Sequence, residues 1–314
     1  MNSIVKNALC RWGMSDADFH LIAARENSVY RVDHDGLSYA LRVHRRGYRS
    51  DAELWSELQW MQAISHGGID VPAPVASASG QFLQVVDGVH VDVLNWLPGA
   101  PLGSTFEALK AADRTGLFRR IGCQMARLHR ISDAWIRPEG FNRCAWDRGG
   151  LLGEAPLWGR FWENPTLGVE DRALFARVRE TANYALAGRE TALDYGLIHA
   201  DLVRENIIID GDRLQFIDFD DGGFGFRLFD LATALIKNLG ERDYPALRDA
   251  LISGYREVRA IDIEALELFV LLRSATYVGW IIERMEEPGA DRRNASFITT
   301  TRDLAQAYLG RWKA

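Results

Sequence analysis

The segment His199-Ala200-Asp201-Leu202-Val203-Arg204-Glu205-Asn206 spaces its polar residues as H-x-D-x-x-x-x-N, directly ahead of an apolar run. Asp218 follows within Phe216-Ile217-Asp218-Phe219-Asp220-Asp221-Gly222, at the end of a second apolar run. Phosphoryl transfer asks for residues of these types. One carboxylate orients and deprotonates a hydroxyl, and oxygen ligands from two strand ends converge on Mg²⁺. A hairpin that brings Asn206 and Asp218 together would supply the second requirement. Asp230-Leu231-Ala232 then starts a helix, and Asp230, ahead of an apolar helical run, reads as an N-cap and loop anchor rather than a catalyst.

The elements that must position these residues follow from hydrophobic period and turn residues. Val29 to Val32 and Tyr39 to Val43 flank Asp35-Gly36, and Phe82 to Val86 and Val89 to Leu94 flank Asp87-Gly88, which predicts two β-hairpins. Between them Leu54, Leu58, Met61 and Ile64 form the stripe of a helix over 51–64. After Leu97-Pro98-Gly99 the periodicity turns helical, over 105–130, 171–189, 244–256, 263–286 and 296–312. One β-rich interruption remains there, Leu197-Ile198, Ile207 to Ile209 and Leu214 to Ile217, turned by Asp210-Gly211-Asp212. The expectation is a first domain over 1–97 and a second over 98–314.

The catalytic spacing, the run Ile217-Asp218-Phe219-Asp220-Asp221-Gly222 and Phe229-Asp230-Leu231-Ala232 together resemble the aminoglycoside phosphotransferase and choline kinase superfamily, which shares the protein-kinase fold. Within it, Tyr39-Ala40-Leu41-Arg42-Val43-His44-Arg45 and Trp158-Gly159-Arg160-Phe161-Trp162-Glu163-Asn164-Pro165 look like a bacterial branch, homoserine-kinase-like or stress-response-kinase-like. The resemblance implies an α+β, bilobal architecture: a small β-rich N-lobe with one main helix and a larger, mostly helical C-lobe. It implies ATP and Mg²⁺ as cofactors. Asp201 becomes the catalytic base or hydroxyl-orienting group, and Asn206 and Asp218 the metal ligands. His199 braces the catalytic loop rather than serving as a general base. Asp220 and Asp221 either add metal or substrate charge or are solvated strand-end carboxylates.

In the N-lobe the resemblance puts Arg42 where most kinases carry the lysine that holds the α and β phosphates, a departure that keeps the charge but changes its geometry. Its expected partner is Glu57, on the same helix face as Glu53. Neither G-x-G-x-x-G nor G-x-x-x-x-G-K-[ST] occurs where a P-loop or Rossmann site would need it. The implied nucleotide loop is Arg25-Glu26-Asn27-Ser28, with backbone contact from Ser28. Adenine would lie at the connector, on the carbonyl of Asn95 and the amide of Leu97.

Composition excludes other classes. Lys plus Arg is 37 and Asp plus Glu 43, a net charge of −6 without a basic block, which disfavours nucleic acid and anionic membranes as partners. Cys10, Cys123 and Cys144 are odd in number and widely spaced, so neither a disulfide frame nor a zinc site is indicated and a reducing cytoplasm fits. No signal peptide or spanning segment is expected; the best apolar run, 265–282, is broken by Glu267 and Arg273. Trp135, Trp146, Trp158 and Trp162 precede the catalytic segment, where aromatic faces near Glu163, Asp220 and Asp221 could hold an amine by cation–π attraction or simply form core. The expected activity is ATP-dependent phosphorylation of a small-molecule hydroxyl, on an amino alcohol such as homoserine or a choline-like compound. A stress-response Ser/Thr protein kinase and a non-catalytic nucleotide-binding regulator are the alternatives.

Overall fold

The computed structural model describes residues 2–24, 27–104 and 107–311. In chain order, α1 (Asn2–Arg11), β1 (Asp18–Ala24), β2 (Asn27–His34), β3 (Leu37–His44), α2 (Asp51–His66), β4 (Leu83–Val86), β5 (Val89–Asn95) and β6 (Ala100–Pro101) come first. Then follow α3 (Arg114–Ala134), β7 (Ala145–Trp146), α4 (Arg148–Leu152), α5 (Val169–Ala187), β8 (Tyr195–Ile198), β9 (Ile207–Asp210), β10 (Arg213–Phe216) and β11 (Gly223–Phe226). The chain closes with α6 (Arg227–Ile236), α7 (Tyr244–Arg256), α8 (Leu266–Trp280) and α9 (Ala290–Arg311). This is the expected α+β class, with sheet early and helices late.

These elements form two compact units. The first comprises Met1–Leu102, Ala134–Arg143 and Asn206–Asp220, and the second Gly103–Asp133, Cys144–Glu205 and Asp221–Ala314. A division at residue 97 follows the shift in composition, but pairing returns two later segments to the first unit. Ala100 and Pro101 of β6 pair with Ile209 and Ile208 of β9, and the Phe216 amide donates to the Asp70 carbonyl.

The first unit is built on an antiparallel sheet in the order β1-β2-β3-β5-β4. Both predicted hairpins form, with Asp35 (φ 49°) and Gly36 (φ 74°) in one turn and Asp87 (φ 52°) and Gly88 (φ 73°) in the other. Left-handed backbone at both turn residues matches the twist of the flanking strands, and Asp-Gly tolerates it. Alternation along β3 then sorts the side chains by face. Leu41 and Val43 join Val5, Ala8 and Leu9 of α1 and Val91 and Val93 of β5 in one apolar cluster, while Arg42 and His44 point the other way. The helix α2 is started by a reciprocal Ser50/Glu53 capping box.

Several elements are absent from the sequence-based expectation, among them α1, β1, β7, α4 and β11. The α1 segment was read only for a leader, although Val5, Ala8 and Leu9 are buried at helical spacing. The strand β1 is exposed along nearly its whole length, so it carries no hydrophobic alternation to read. Of the proposed nucleotide loop, Arg25 and Glu26 lie outside the described residues, and Asn27 and Ser28 are strand residues of β2, opposite His44 and Val43.

The second unit has a small sheet in the order β7-β11-β8 and the remaining helices. The predicted helix over 105–130 begins later, at Arg114, where the Asp113 carboxylate accepts the Gly116 amide; residue 105 is outside the described residues, as is 312 at the end of the last predicted helix. Over 263–286 the α-helix ends at Trp280 and a 3₁₀ turn, Ile281–Arg284, follows. Asp230 sits inside α6 rather than capping it; the cap position is Phe226. No helix among the described residues is long and apolar enough to cross a membrane.

Backbones of α3 and α7 meet at two glycines. A Cβ on Gly122 would lie 2.0 Å from the Leu251 carbonyl oxygen, and one on Gly254 would lie 1.8 Å from that of Arg119. Neither helix backbone can yield as a side-chain tip would. Gly254→Ala is expected to lower the unfolding free energy by about 1–3 kcal/mol through overpacking. Gly240→Ala, which meets nothing within 4 Å, should change it by less than about 0.5 kcal/mol. Urea unfolding of both variants checks this, and equal stabilities would rule out the close helix approach.

Candidate active site

In the first unit, Arg42 of β3 faces α2 and is nearly fully buried. Its Nη1 donates to Glu57 Oε1 at 2.6 Å, the ion pair expected from sequence. Its Nε and Nη2 also donate to Asp92 Oδ1 and Oδ2, at 2.8 and 2.9 Å, a bidentate pair the sequence reading missed. Asp92 is the cross-strand partner of Arg42 on β5, and its visible signal was one carboxylate set among valines. Burial alone would raise the Asp92 pKa, but Arg42 and His44 bring it down to about 2. Burial likewise opposes the charge on Glu57, and Arg42 and Arg143 outweigh it to leave the pKa lowered. Arg42, though desolvated, is held charged by Asp92 and Glu57.

The network extends in both directions. His44 Nε2 donates to Asp92 Oδ2 at 2.6 Å, and its Nδ1 lies 3.1 Å from the Asn27 side chain. Arg143, also missed, lies 3.6 Å from Glu57 Oε2 and donates to the carbonyls of Glu53, Phe219 and Asp220. Glu57 therefore connects Arg42 to the backbone that follows Asp218.

The hairpin of β9 and β10 brings Asn206 and Asp218 to its open end. Ile207 pairs with Phe216, and the Ile217 amide donates to the Asn206 carbonyl at 3.0 Å. Asp218 is exposed and has φ 67°, a left-handed conformation unfavourable for a side chain other than glycine. Asp220 is in a different setting: it is buried, and its Oδ2 is 3.5 Å from Arg49 Nη2. Asp220 is therefore not a solvated strand-end carboxylate. Asn95 ends β5, where its amide donates to the Ala73 carbonyl, and Leu97 follows half-buried. Beyond it, Gln215 donates to the Pro98 carbonyl at 2.6 Å.

In the second unit, β8 delivers His199, Ala200 and Asp201. Ala200 takes φ 66°, and the carboxylate of Asp230 holds it there by accepting the amides of His199 (2.9 Å) and Ala200 (2.6 Å). His129 Nε2 also donates to Asp230, and the Tyr255 hydroxyl donates to His129 Nδ1 at 2.8 Å. Burial, reinforced by Arg227, brings the His129 pKa down to about 4, so it acts here as a neutral donor. His199 is fully buried, with its Nδ1 accepting the Asp201 amide at 3.3 Å.

Asp201 is mostly enclosed, and Arg273 Nη2 donates to its Oδ1 at 2.5 Å. Burial raises the Asp201 pKa to about 7; Arg273 opposes the rise and Asp221 adds to it. Arg273, read in sequence only as a charge interrupting an apolar run, is itself fully buried in α8. Its guanidinium lies 4.5 Å from the Trp158 ring and 4.4 Å from that of Tyr277, and Nη2 donates to the Tyr277 hydroxyl at 3.1 Å.

The tryptophans, read from sequence as either an amine site or core, already have partners within the protein. Trp158 carries Arg273 and donates to Asp221 Oδ1 at 3.3 Å, Trp162 carries Arg179 at 4.1 Å, and Trp146 stacks on Phe229 at 5.1 Å. Trp135 meets the edge of Phe141 at 5.3 Å. Glu163 is bound to Arg160.

Three likenesses bear on this arrangement. The structure of a microcompartment-associated aminopropanol kinase is 29% identical, covers 99% of this chain and 98% of its own, and superposes with a TM-score of 0.86. A homoserine kinase of Sinorhizobium medicae (strain WSM419) is 28% identical over 84% of this chain and 79% of its own length. The fold, with a TM-score of 0.75 over 96% of this chain and 93% of that one, is also that of amicoumacin kinase hAmiN in complex with AMP-PNP, Ca2+ and Ami, at 20% identity. The model of one phosphotransferase enzyme family matches residues 18–269, which take in the Arg42 network, the Asp230 clamp and the whole span from His199 to Asp220, and the chain belongs to that family.

Proposed function

We propose that this protein transfers the γ-phosphoryl group of ATP to the hydroxyl of a small amino alcohol, with Asp201 as the residue that orients and deprotonates that hydroxyl. The observation that carries this reading is the state of Asp201. It is a mostly enclosed carboxylate on a loop held by the Asp230 clamp, aimed by Arg273, and raised by burial to about 7, where a carboxylate can accept a proton near neutral pH. Similarity to homoserine and aminopropanol kinases supports an amino alcohol as acceptor.

The donor set fits a divalent cation. Asn206 and Asp218 offer an amide oxygen and a carboxylate from one hairpin end, and phosphate oxygens of the nucleotide would complete the shell that Mg²⁺ prefers. When bound, the ion neutralises phosphate charge. The chain's own residues do the rest. Arg42 uses three of its five N–H groups on Glu57 and Asp92 and, among the described residues, keeps two for phosphate oxygens. His44 holds Asn27 at the start of β2, where Asn27 and Ser28 would meet the nucleotide; the connector backbone at Asn95 and Leu97 would take the adenine. Asp201 receives the hydroxyl proton as the acceptor oxygen bonds to phosphorus and the ADP oxygen leaves. His199 and Asp230 position it and take no proton.

Asp201→Asn is expected to lower kcat by about 10²- to 10⁴-fold while nucleotide affinity stays within about threefold. ADP release and calorimetric titration with MgATP read the two quantities, and full turnover in the variant would remove Asp201 from the reaction. The pH dependence has a definite sign. Below about 7 Asp201 is protonated and cannot accept, so kcat/KM should fall about tenfold per pH unit on the acid side of about 7. Arg273→Met deletes the interaction that lowers this pKa, so the acid limb should move to higher pH; a limb that stays in place would mean another group titrates.

A further inference from the structure

A second cation stands beside Asp201 and Arg273, and the proton transfer just described does not use it. Lys237 follows the last residue of α6, and its Nζ lies 4.2 Å from the ring of Tyr277 and 5.6 Å from that of Phe297. Those rings are stacked on one another, 5.0 Å apart. The Tyr277 hydroxyl accepts from Arg273, and Arg273 donates to Asp201, so Lys237, Tyr277, Arg273 and Asp201 form a contiguous line of contacts within the second unit.

The fully buried arginines of this unit have carboxylate partners: Arg204 with Glu241, Arg227 with Asp133, Arg273 with Asp201. Among the described residues Lys237 has no carboxylate within 4.0 Å and its ammonium no hydrogen-bond acceptor. The carbonyl end of α6 makes a cation tolerable at this place. It leaves the three N–H donors of a half-buried ammonium without acceptors, which an anionic group of a ligand would satisfy.

We propose that Lys237 binds a carboxylate on the phosphate acceptor, so that the acceptor is an amino alcohol of the hydroxy amino acid type rather than a simple alkanolamine. The inference rests on the reading of Asp201 as the residue that meets the acceptor hydroxyl. Charge around the line of contacts agrees with it. Trp158 and Tyr277 already hold the chain's own cations on their faces, so they do not wait for a ligand's ammonium. The carboxylates of Asp221 and Glu205 act on Asp201 and leave the surroundings able to accept a positive group as well, with Asp221 also accepting from Trp158. Lys237 itself is brought down to about 8, because burial and Arg273 outweigh the opposing pull of the Glu205 and Asp201 carboxylates.

L-Homoserine and 3-amino-1-propanol share a primary hydroxyl and an amine and differ by the carboxylate. With purified protein and MgATP, kcat/KM from ADP release should favour homoserine by about tenfold to a hundredfold. In Lys237→Met that ratio should fall towards one, mainly through KM for homoserine. A wild-type preference for aminopropanol, or a ratio unchanged in the variant, would overturn the proposal. A binding arm separates it from the reading on which it rests. Without turnover, 2-aminobutyrate and propylamine are compared as protectants of the Lys237 amine against reductive methylation, read by peptide mass spectrometry. Protection by 2-aminobutyrate alone supports the carboxylate seat even if neither alcohol is phosphorylated, a result that would instead fault the proposed reaction. Protection by neither overturns the seat whatever the kinase assay gives.

Discussion

Four of the charges buried in the first unit compensate one another as a set. Arg42, Glu57, Asp92 and Arg143 balance to zero, and each carboxylate is within contact distance of a guanidinium. An ion taken out of water costs several kcal/mol unless partners in good geometry compensate it, and deleting one partner of such a pair leaves the other uncompensated, at a cost of about 3–5 kcal/mol. The set therefore fixes more than its own side chains. Glu57 ties α2 to β3, Asp92 ties β5 to β3, and Arg143 ties α2 to the backbone carbonyls of Phe219 and Asp220. The placement of the chain just after Asp218 is thus set by the same charge balance that holds Arg42.

The second unit solves a related problem with a single carboxylate. A non-glycine residue in left-handed backbone, as at Ala200, persists only where its surroundings over-determine it. Asp230 does so by accepting two consecutive amides, and its own burial is made tolerable by the neutral His129 donor behind it. His199 and Asp230 thus act on Asp201 through the backbone. Both are invisible to solvent, and their chemistry is the geometry they impose.

The sequence made most of this legible where the pattern was local. Asp-Gly turns between alternating strands defined both hairpins, and the H-x-D-x-x-x-x-N spacing with an aspartate after the next strand located the β9–β10 hairpin with Asn206 and Asp218 at its end. What escaped was tertiary. Asp92 looked like one charge inside a strand, Arg143 like a loop residue and Arg273 like an interruption of an apolar helix, and only the pairing of strands and helices shows why each is there. The strand β1 escaped for the opposite reason, because an exposed edge leaves no hydrophobic period. Asp230 was read correctly as an anchor and wrongly as a cap, since a buried acceptor in the first turn and a capping residue leave the same trace ahead of an apolar run.

Arg273 and Lys237 change how the aromatic residues of the second unit are understood. A tryptophan or tyrosine near carboxylates invites a cationic ligand, because the ring face and the carboxylate both favour positive charge. Here the same preference is met from within: Arg273 lies over Trp158 and Tyr277 and also binds Asp201, so one residue meets the rings and the Asp201 carboxylate together. That arrangement limits how far burial can raise the Asp201 pKa, since the guanidinium opposes desolvation at a distance of 2.5 Å. It also means that positive charge beside Asp201 is supplied by the protein itself.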